Sequence, residues 1–116
     1  MSGKINDDFY RIQKIGFYCQ AIVDFTTNKH YEELRYDNQL KFAIPFALDQ
    51  ISEEATKLTE KFRKKHHQIP WRKIIGIRRK IIHDYEGSNI ILLWEFVKES
   101  IPELLTEINQ ILNRSD

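Results

Sequence analysis

An all-α, antiparallel four-helix bundle is the fold class this sequence predicts, and three observations carry that expectation. Only 4 glycines and 3 prolines occur in 116 residues, too few for the frequent turns of an all-β fold. Apolar residues recur at steps of three and four over several long stretches, the period of a helix with one buried face. The breaks between those stretches are short, which makes successive helices antiparallel neighbours. A chain of this length holds one compact core rather than two, so residues 1–116 read as a single domain.

The formal net charge is +1, which by itself argues against a generic polyanion binder. Its distribution argues otherwise. Residues 61 to 83 hold Lys61, Arg63, Lys64, Lys65, Arg72, Lys73, Arg78, Arg79 and Lys80, half of the 18 cations, and no acid. Such a run is ordinarily a solvated face, but this concentration raises the expectation of a phosphate-bearing partner. The lone Cys19 excludes an internal disulfide framework and suits a reducing compartment. It lies on the apolar stripe of the first helix, as an inert buried thiol would. No signal-peptide core or membrane-spanning apolar run is present, so a cytoplasmic protein without a membrane role is expected.

The first helix is predicted to start at Asn6 as N-cap, with Asp7 and Asp8 suiting the positive end of its dipole. Phe9, Ile12, Gly16, Cys19, Ile22 and Val23 form its buried face, and residues 26–29 end it. His30 to Tyr36 reads as one loose turn whose aromatic residues tuck under the loop. Asp37 then caps what should be the longest helix, with Leu40, Ile44, Ala47, Leu48, Ile51, Ala55, Leu58 and Phe62 on one stripe. Pro45 interrupts that helix and predicts a kink near Phe42, because an interior proline deletes one backbone hydrogen bond at about 3 kcal/mol. Of Glu53 and Glu54, one must meet the apolar boundary, where an ion pair would satisfy it. His66 and His67 are adjacent and point about 100° apart on a helix, and no other Cys/His spacing completes a zinc site. No metal is expected.

Pro70 suits the first position of the third helix. Residues 86–89 read as a turn, and the last helix places Ile90, Leu93, Trp94 and Val97 inward. Ser100-Ile101-Pro102-Glu103 has the form of a capping box, so a bend or restart is predicted near Pro102 before Leu104, Leu105, Ile108, Ile111 and Leu112.

The stretch from Gly76 to Tyr85 concentrates the chemistry. On a helical wheel Trp71, Ile74, Ile75, Ile77, Ile81 and Ile82 share one broad arc with Arg78 in its middle. Arg72, Arg79 and His83 cluster on a flank, and Lys73 and Lys80 point away. An arginine on an apolar stripe must be paired or reach water. It is therefore either a structural ion-pair partner, with Glu53 or Glu54, or a guanidinium facing a cleft and ready to hold an anion.

Arg78, four intervening residues, then His83-Asp84-Tyr85 fit the pattern Arg-x4-His-x-Tyr, preceded by Pro70-Trp71 and followed by an apolar helix containing Pro102. Upstream, Ile51-Ser52-Glu53-Glu54-Ala55 is similar to an Ile-Gly-Glu-Ala-Ala segment. Together these resemble the HepT-like proteins of the HEPN superfamily of four-helix ribonucleases, over nearly the whole chain from Asp8 to Ile111. The resemblance implies the toxin of a toxin–antitoxin pair: a homodimer that cuts RNA without metal or other cofactor. Its antitoxin would be a MntA-like nucleotidyltransferase that transfers AMP to Tyr85. Carried over residue by residue, Arg78 and His83 become the catalytic pair. From the basic run itself, Arg79 is expected to support them and Arg72, Lys73 and Lys80 to bind RNA.

Three positions depart from that pattern. Arg79 stands where a small polar residue, often asparagine, is usual, and shares a face with His83. Ser52 replaces the glycine of the upstream segment, which predicts looser helix packing there. Pro45 is also unexpected in its helix. The competing reading is a non-catalytic helical binding module or acceptor for a nucleotidyltransferase.

Overall fold

The computed structural model describes residues 3–81 and 90–114. Among them lie seven helices and no strand: α1 (Gly3–Thr26), α2 (Tyr31–Tyr36), α3 (Asn38–Thr56), α4 (Glu60–Lys65), α5 (Trp71–Ile75), α6 (Ile77–Lys80) and α7 (Ile90–Arg114). They form an elongated bundle of 47 × 25 × 22 Å. The four expected helical segments are present as α1, α3, the broken pair α5–α6, and α7; α2 and α4 are short insertions at their junctions.

The pairing of side chains fixes the directions. Asp8 meets Thr59, Arg11 meets Glu54, and Tyr18 meets Phe46, so α3 and its continuation run opposite to α1. A Cβ on Gly16 would touch Ile108, and Lys98 reaches the Thr26 carbonyl, so α7 also opposes α1. Ile75 meets Ser52 and Arg78 meets Asp49, while Lys73 meets Ser100 and Lys80 meets Phe96, so the α5–α6 pair opposes both α3 and α7. Each helix therefore lies antiparallel to its neighbours around the bundle.

The core runs down the centre, with Ile12, Ile15, Cys19 and Ile22 from α1, Ile44, Leu48 and Ile51 from α3, and Leu93, Ile101 and Ile108 from α7. Each such aliphatic side chain contributes about 1.5–3 kcal/mol on burial. Ile15 belongs to that core although the expected stripe passed over it, and Phe9, expected inward, is exposed. Helix α1 begins at Gly3 rather than after Asn6. Asp8 serves the tertiary structure rather than the helix dipole alone. It is buried and accepts from both the backbone N–H and the hydroxyl of Thr59, at 2.9 and 2.7 Å. Thr59 in turn caps α4 by accepting from Phe62 N–H. This latch ends the stripe of α3 after Thr56, so Phe62 sits on a separate short helix.

Around residues 30–36 the aromatic residues do not tuck in. Leu34 is the buried side chain of α2, while Tyr31 and Tyr36 are exposed. Asp37 caps α3 as expected, accepting from Gln39 and Leu40 N–H. Helix α3 runs through Pro45, held by Ile44, Ala47 and Leu48 packed on both sides. The longest helix is α7, at 25 residues against 19 for α3. It does not restart at Pro102, and Ser100, predicted as a cap, instead accepts from Lys73 Nζ at 3.4 Å. Continuous burial of Val97, Ile101, Leu104 and Ile108 against the bundle outweighs the one backbone bond lost to Pro102.

Buried Glu54 is the boundary carboxylate. It takes Arg11 at 3.0 Å and Lys14 at 3.2 Å, tying α3 to α1. No helix among the described residues is long and apolar enough to cross a membrane.

Candidate functional site

Helix α5 starts from a tight corner. Ile69 N–H donates to the His66 carbonyl, and Trp71 Nε1 donates to that same oxygen at 3.0 Å, so the buried indole anchors the turn. Pro70 stands one residue before the helix, at its N-cap. The predicted single third helix is broken at Gly76, whose backbone (φ −78°, ψ 1°) separates α5 from α6. A Cβ there would stand 3.3 Å from the Arg72 carbonyl, closer than side chains ordinarily approach.

The break changes which residues face inward. Trp71, Ile74 and Ile77 are buried, a step of three, whereas Ile75 is only half-buried. The non-helical ψ at Gly76 interrupts the regular twist and takes Arg78 off the arc that an unbroken helix would give it. Its side chain is 51% exposed and lies on the flank facing α3. Arg78 Nε donates to Asp49 Oδ1 and its Nη2 to Glu53 Oε1. Both carboxylates are partly exposed, and Glu53 also meets Lys57 at 3.5 Å. The hydrogen bond and charge of Asp49 raise the Arg78 pKa above its already high ordinary value, with Glu53 adding to the effect. The cation is therefore permanent. These contacts occupy one edge of the guanidinium fork and fix its plane, while the fork has donors beyond those two.

The ion pair foreseen with Glu53 or Glu54 is thus made with Glu53, near the surface rather than buried, and Glu54 is taken by Arg11 and Lys14. Asp49 was not singled out in the sequence. Its signal was the four-residue step to Glu53, which puts both acids on one face of α3.

Ser52 also differs from expectation. It is buried, and its hydroxyl donates to the Ile75 carbonyl at 2.7 Å, directly beside the Gly76 break. Replacing a glycine with serine adds an inter-helix bond here instead of loosening the contact.

The remaining cations divide between two flanks. Lys73 and Lys80, expected to point away, lean over the ring of Phe96 on α7, with Nζ 5.5 and 5.7 Å from its centroid. Lys73 also lines a cleft of about 420 Å³ between α5 and α7, with Gln68, Ile74, Phe96 and Ser100 among its walls. Arg72 and Arg79 are exposed. The structure therefore brings Lys73 and Lys80 together over Phe96 and holds Arg78 on the opposite flank of the same short helices. His83 and Tyr85 lie outside the described residues, as do Ile82 and the turn predicted at 86–89.

The sequence that forms this bundle and its broken, arginine-bearing helix matches a known class of protein. Residues 15–111 match the family described as Ribonuclease HepT-like. The chain belongs to that family. It is 35% identical over 95 residues to a Methanocaldococcus jannaschii protein carrying the name "Putative RNase", covering 82% of this chain and 78% of that one. A Caldanaerobacter subterraneus subsp. tengcongensis protein of the same description is 33% identical over 96 residues, covering 83% of this chain and 86% of its own. A Thermococcus cleftensis protein named "Probable ribonuclease HepT" is 34% identical over 93 residues, covering 80% and 84%. No solved structure matches the chain.

Proposed function

We propose that this protein is a metal-independent endoribonuclease of the HepT type, acting as a homodimer and as the toxin of a pair with a MntA-like nucleotidyltransferase. Arg78 and His83 are its catalytic pair, and AMP transferred to Tyr85 is its off-switch. The observation that carries this reading is the setting of Arg78: a permanent cation, half-exposed, whose plane is held by Asp49 and Glu53 at the edge of the acid-free cationic segment. Family membership and the ribonuclease names of its relatives support it.

The chemistry suits these residue types. Cleavage through the 2′-hydroxyl needs a proton acceptor, assistance to the leaving 5′-oxygen, and positive charge on the developing phosphorane. Histidine, with an unperturbed pKa near ~6.5, serves as acid or base at neutral pH. A pre-positioned guanidinium offers its fork to phosphate oxygens without reorganising. Each chain carries one motif histidine and one motif arginine, so a two-fold dimer supplies two of each. Arg72, Arg79, Lys73 and Lys80 add phosphate-backbone contacts. AMP on Tyr85, two residues after His83 in the motif, adds bulk and negative charge and so opposes RNA.

The test is cleavage of RNA in excess EDTA by the purified protein, alongside His83→Ala and Arg78→Ala. Cleavage by the parent and none by either variant is expected. Wild-type rates from His83→Ala would remove the assignment. A purely structural role for the Asp49–Arg78–Glu53 cluster predicts instead that Arg78→Ala lowers stability without any loss of cleavage.

A further inference from the structure

A groove of about 560 Å³ lies where α1 begins, α4 crosses and α7 ends. It is displaced along the bundle from Arg78, which meets α3 at Asp49 and Glu53, before the Thr59 latch that starts α4. Phe9, Tyr10 and Phe62 supply aromatic walls over a floor of Ile12 and Ile111, and Lys61 and Lys65 stand at its rim four residues apart on α4. Phe9 and Tyr10 are large exposed aromatic residues. Asp8 is the single carboxylate among the lining residues, and both its oxygens are engaged by Thr59.

The cations here are crowded rather than neutralised. Lys61 and Lys65 make no ion pair with an acid among the described residues, whereas Lys64, on the same helix, meets Glu60 at 4.0 Å. His66, packed against Phe62 with the two rings tilted and their centroids 4.5 Å apart, is held below its ordinary pKa by burial first and then by Lys65 and Arg114. Like charges gathered beside aromatic faces form the combination that holds single-stranded nucleic acid: phosphates on the cations and bases on the rings. Phe9 and Tyr10 lie outside residues 15–111, the span that matches the family.

We infer that this groove is a second RNA-contacting site, in which Tyr10 and Phe9 stack bases of single-stranded RNA while Lys61 and Lys65 hold its phosphates. It rests on the ribonuclease reading, since it extends the path of the same substrate away from Arg78.

The test is binding of a short fluorescein-labelled single-stranded RNA, followed by fluorescence polarisation across a salt series. Every protein carries His83→Ala so that the RNA stays intact, and circular dichroism confirms the fold. Lys65→Glu and Tyr10→Ala are each expected to weaken binding about tenfold. Lys65→Glu should also reduce the salt slope by about 0.7. Lys64→Glu, an equal charge change beside the groove, should cost less than about twofold. Equal losses from Lys65→Glu and Lys64→Glu, with Tyr10→Ala unchanged, would overturn the groove and leave the nuclease reading standing. Absence of RNA binding, together with absence of cleavage by the parent protein, would remove both.

Discussion

Arg78 and Asp49 are 29 residues apart in the chain and joined by a charged hydrogen bond of 2.5 Å between α6 and α3. The bond orients the guanidinium more than it stabilises the fold, because both partners are substantially exposed. Asp49→Asn should therefore leave the melting temperature nearly unchanged. If Arg78 acts on RNA as proposed, the same variant should slow cleavage by about 10–100-fold, with the change in kcat rather than KM. Single-turnover cleavage rates followed from sub-saturating to saturating protein separate the maximal rate from the half-saturating concentration. A cooperative loss of stability with full activity would assign the pair to the scaffold.

Glu54 should behave in the opposite way. It is 2% exposed and holds Arg11 and Lys14. Glu54→Ala leaves a partly buried guanidinium, whose Nε already lacks a partner, without its carboxylate. A loss of about 2–3 kcal/mol in urea denaturation is expected.

The same cluster gives a pH dependence with a definite sign. The hydrogen bond and charge of Glu54 raise the Lys14 pKa above 10.5 in the folded protein. The Lys14 contribution is therefore complete below the unfolded pKa of about 10.4 and disappears as pH rises through the higher folded value. Lys14→Met should flatten that part of the alkaline stability profile relative to the parent, measured by denaturation from pH 9 upward.

Ser52→Ala removes the hydroxyl bonded to the Ile75 carbonyl and should cost about 1 kcal/mol. Hydrogen exchange offers a local check, with faster exchange of the amides just after Gly76 expected in the variant.

Cys19 is fully buried, and burial pushes its thiol up to about 12. Iodoacetamide at neutral pH should leave it unmodified in the folded protein and alkylate it once denaturant exceeds the unfolding midpoint. The alkylation curve should coincide with loss of helical circular dichroism.

Several features were legible because they depend on neighbours in sequence. Asp37 caps α3 through atoms two and three residues away, and the stripe of Ile44, Leu48 and Ile51 follows from helical period alone. Burial of Glu54 or its neighbour was also readable, since an acid at an apolar boundary requires a partner. The identity of that partner was not, because Arg11 and Lys14 lie more than one helix away along the chain. Helix ends were misplaced where tertiary contacts set them. Thr59 stops the α3 stripe because Asp8 captures it, and Pro102 fails to stop α7 because the core packs across it.

By itself, then, the sequence determined the all-α class, the inward stripes, the concentration of cations from Lys61 onward, and the motif that identifies the family. Only the tertiary structure decided where Arg78 points. A regular helix would have laid it on the apolar arc. The break at Gly76, braced by Ser52, instead turns it toward Asp49 and Glu53. The physical reason is that a helical wheel assumes constant twist, whereas the twist at a glycine is set by what packs against it.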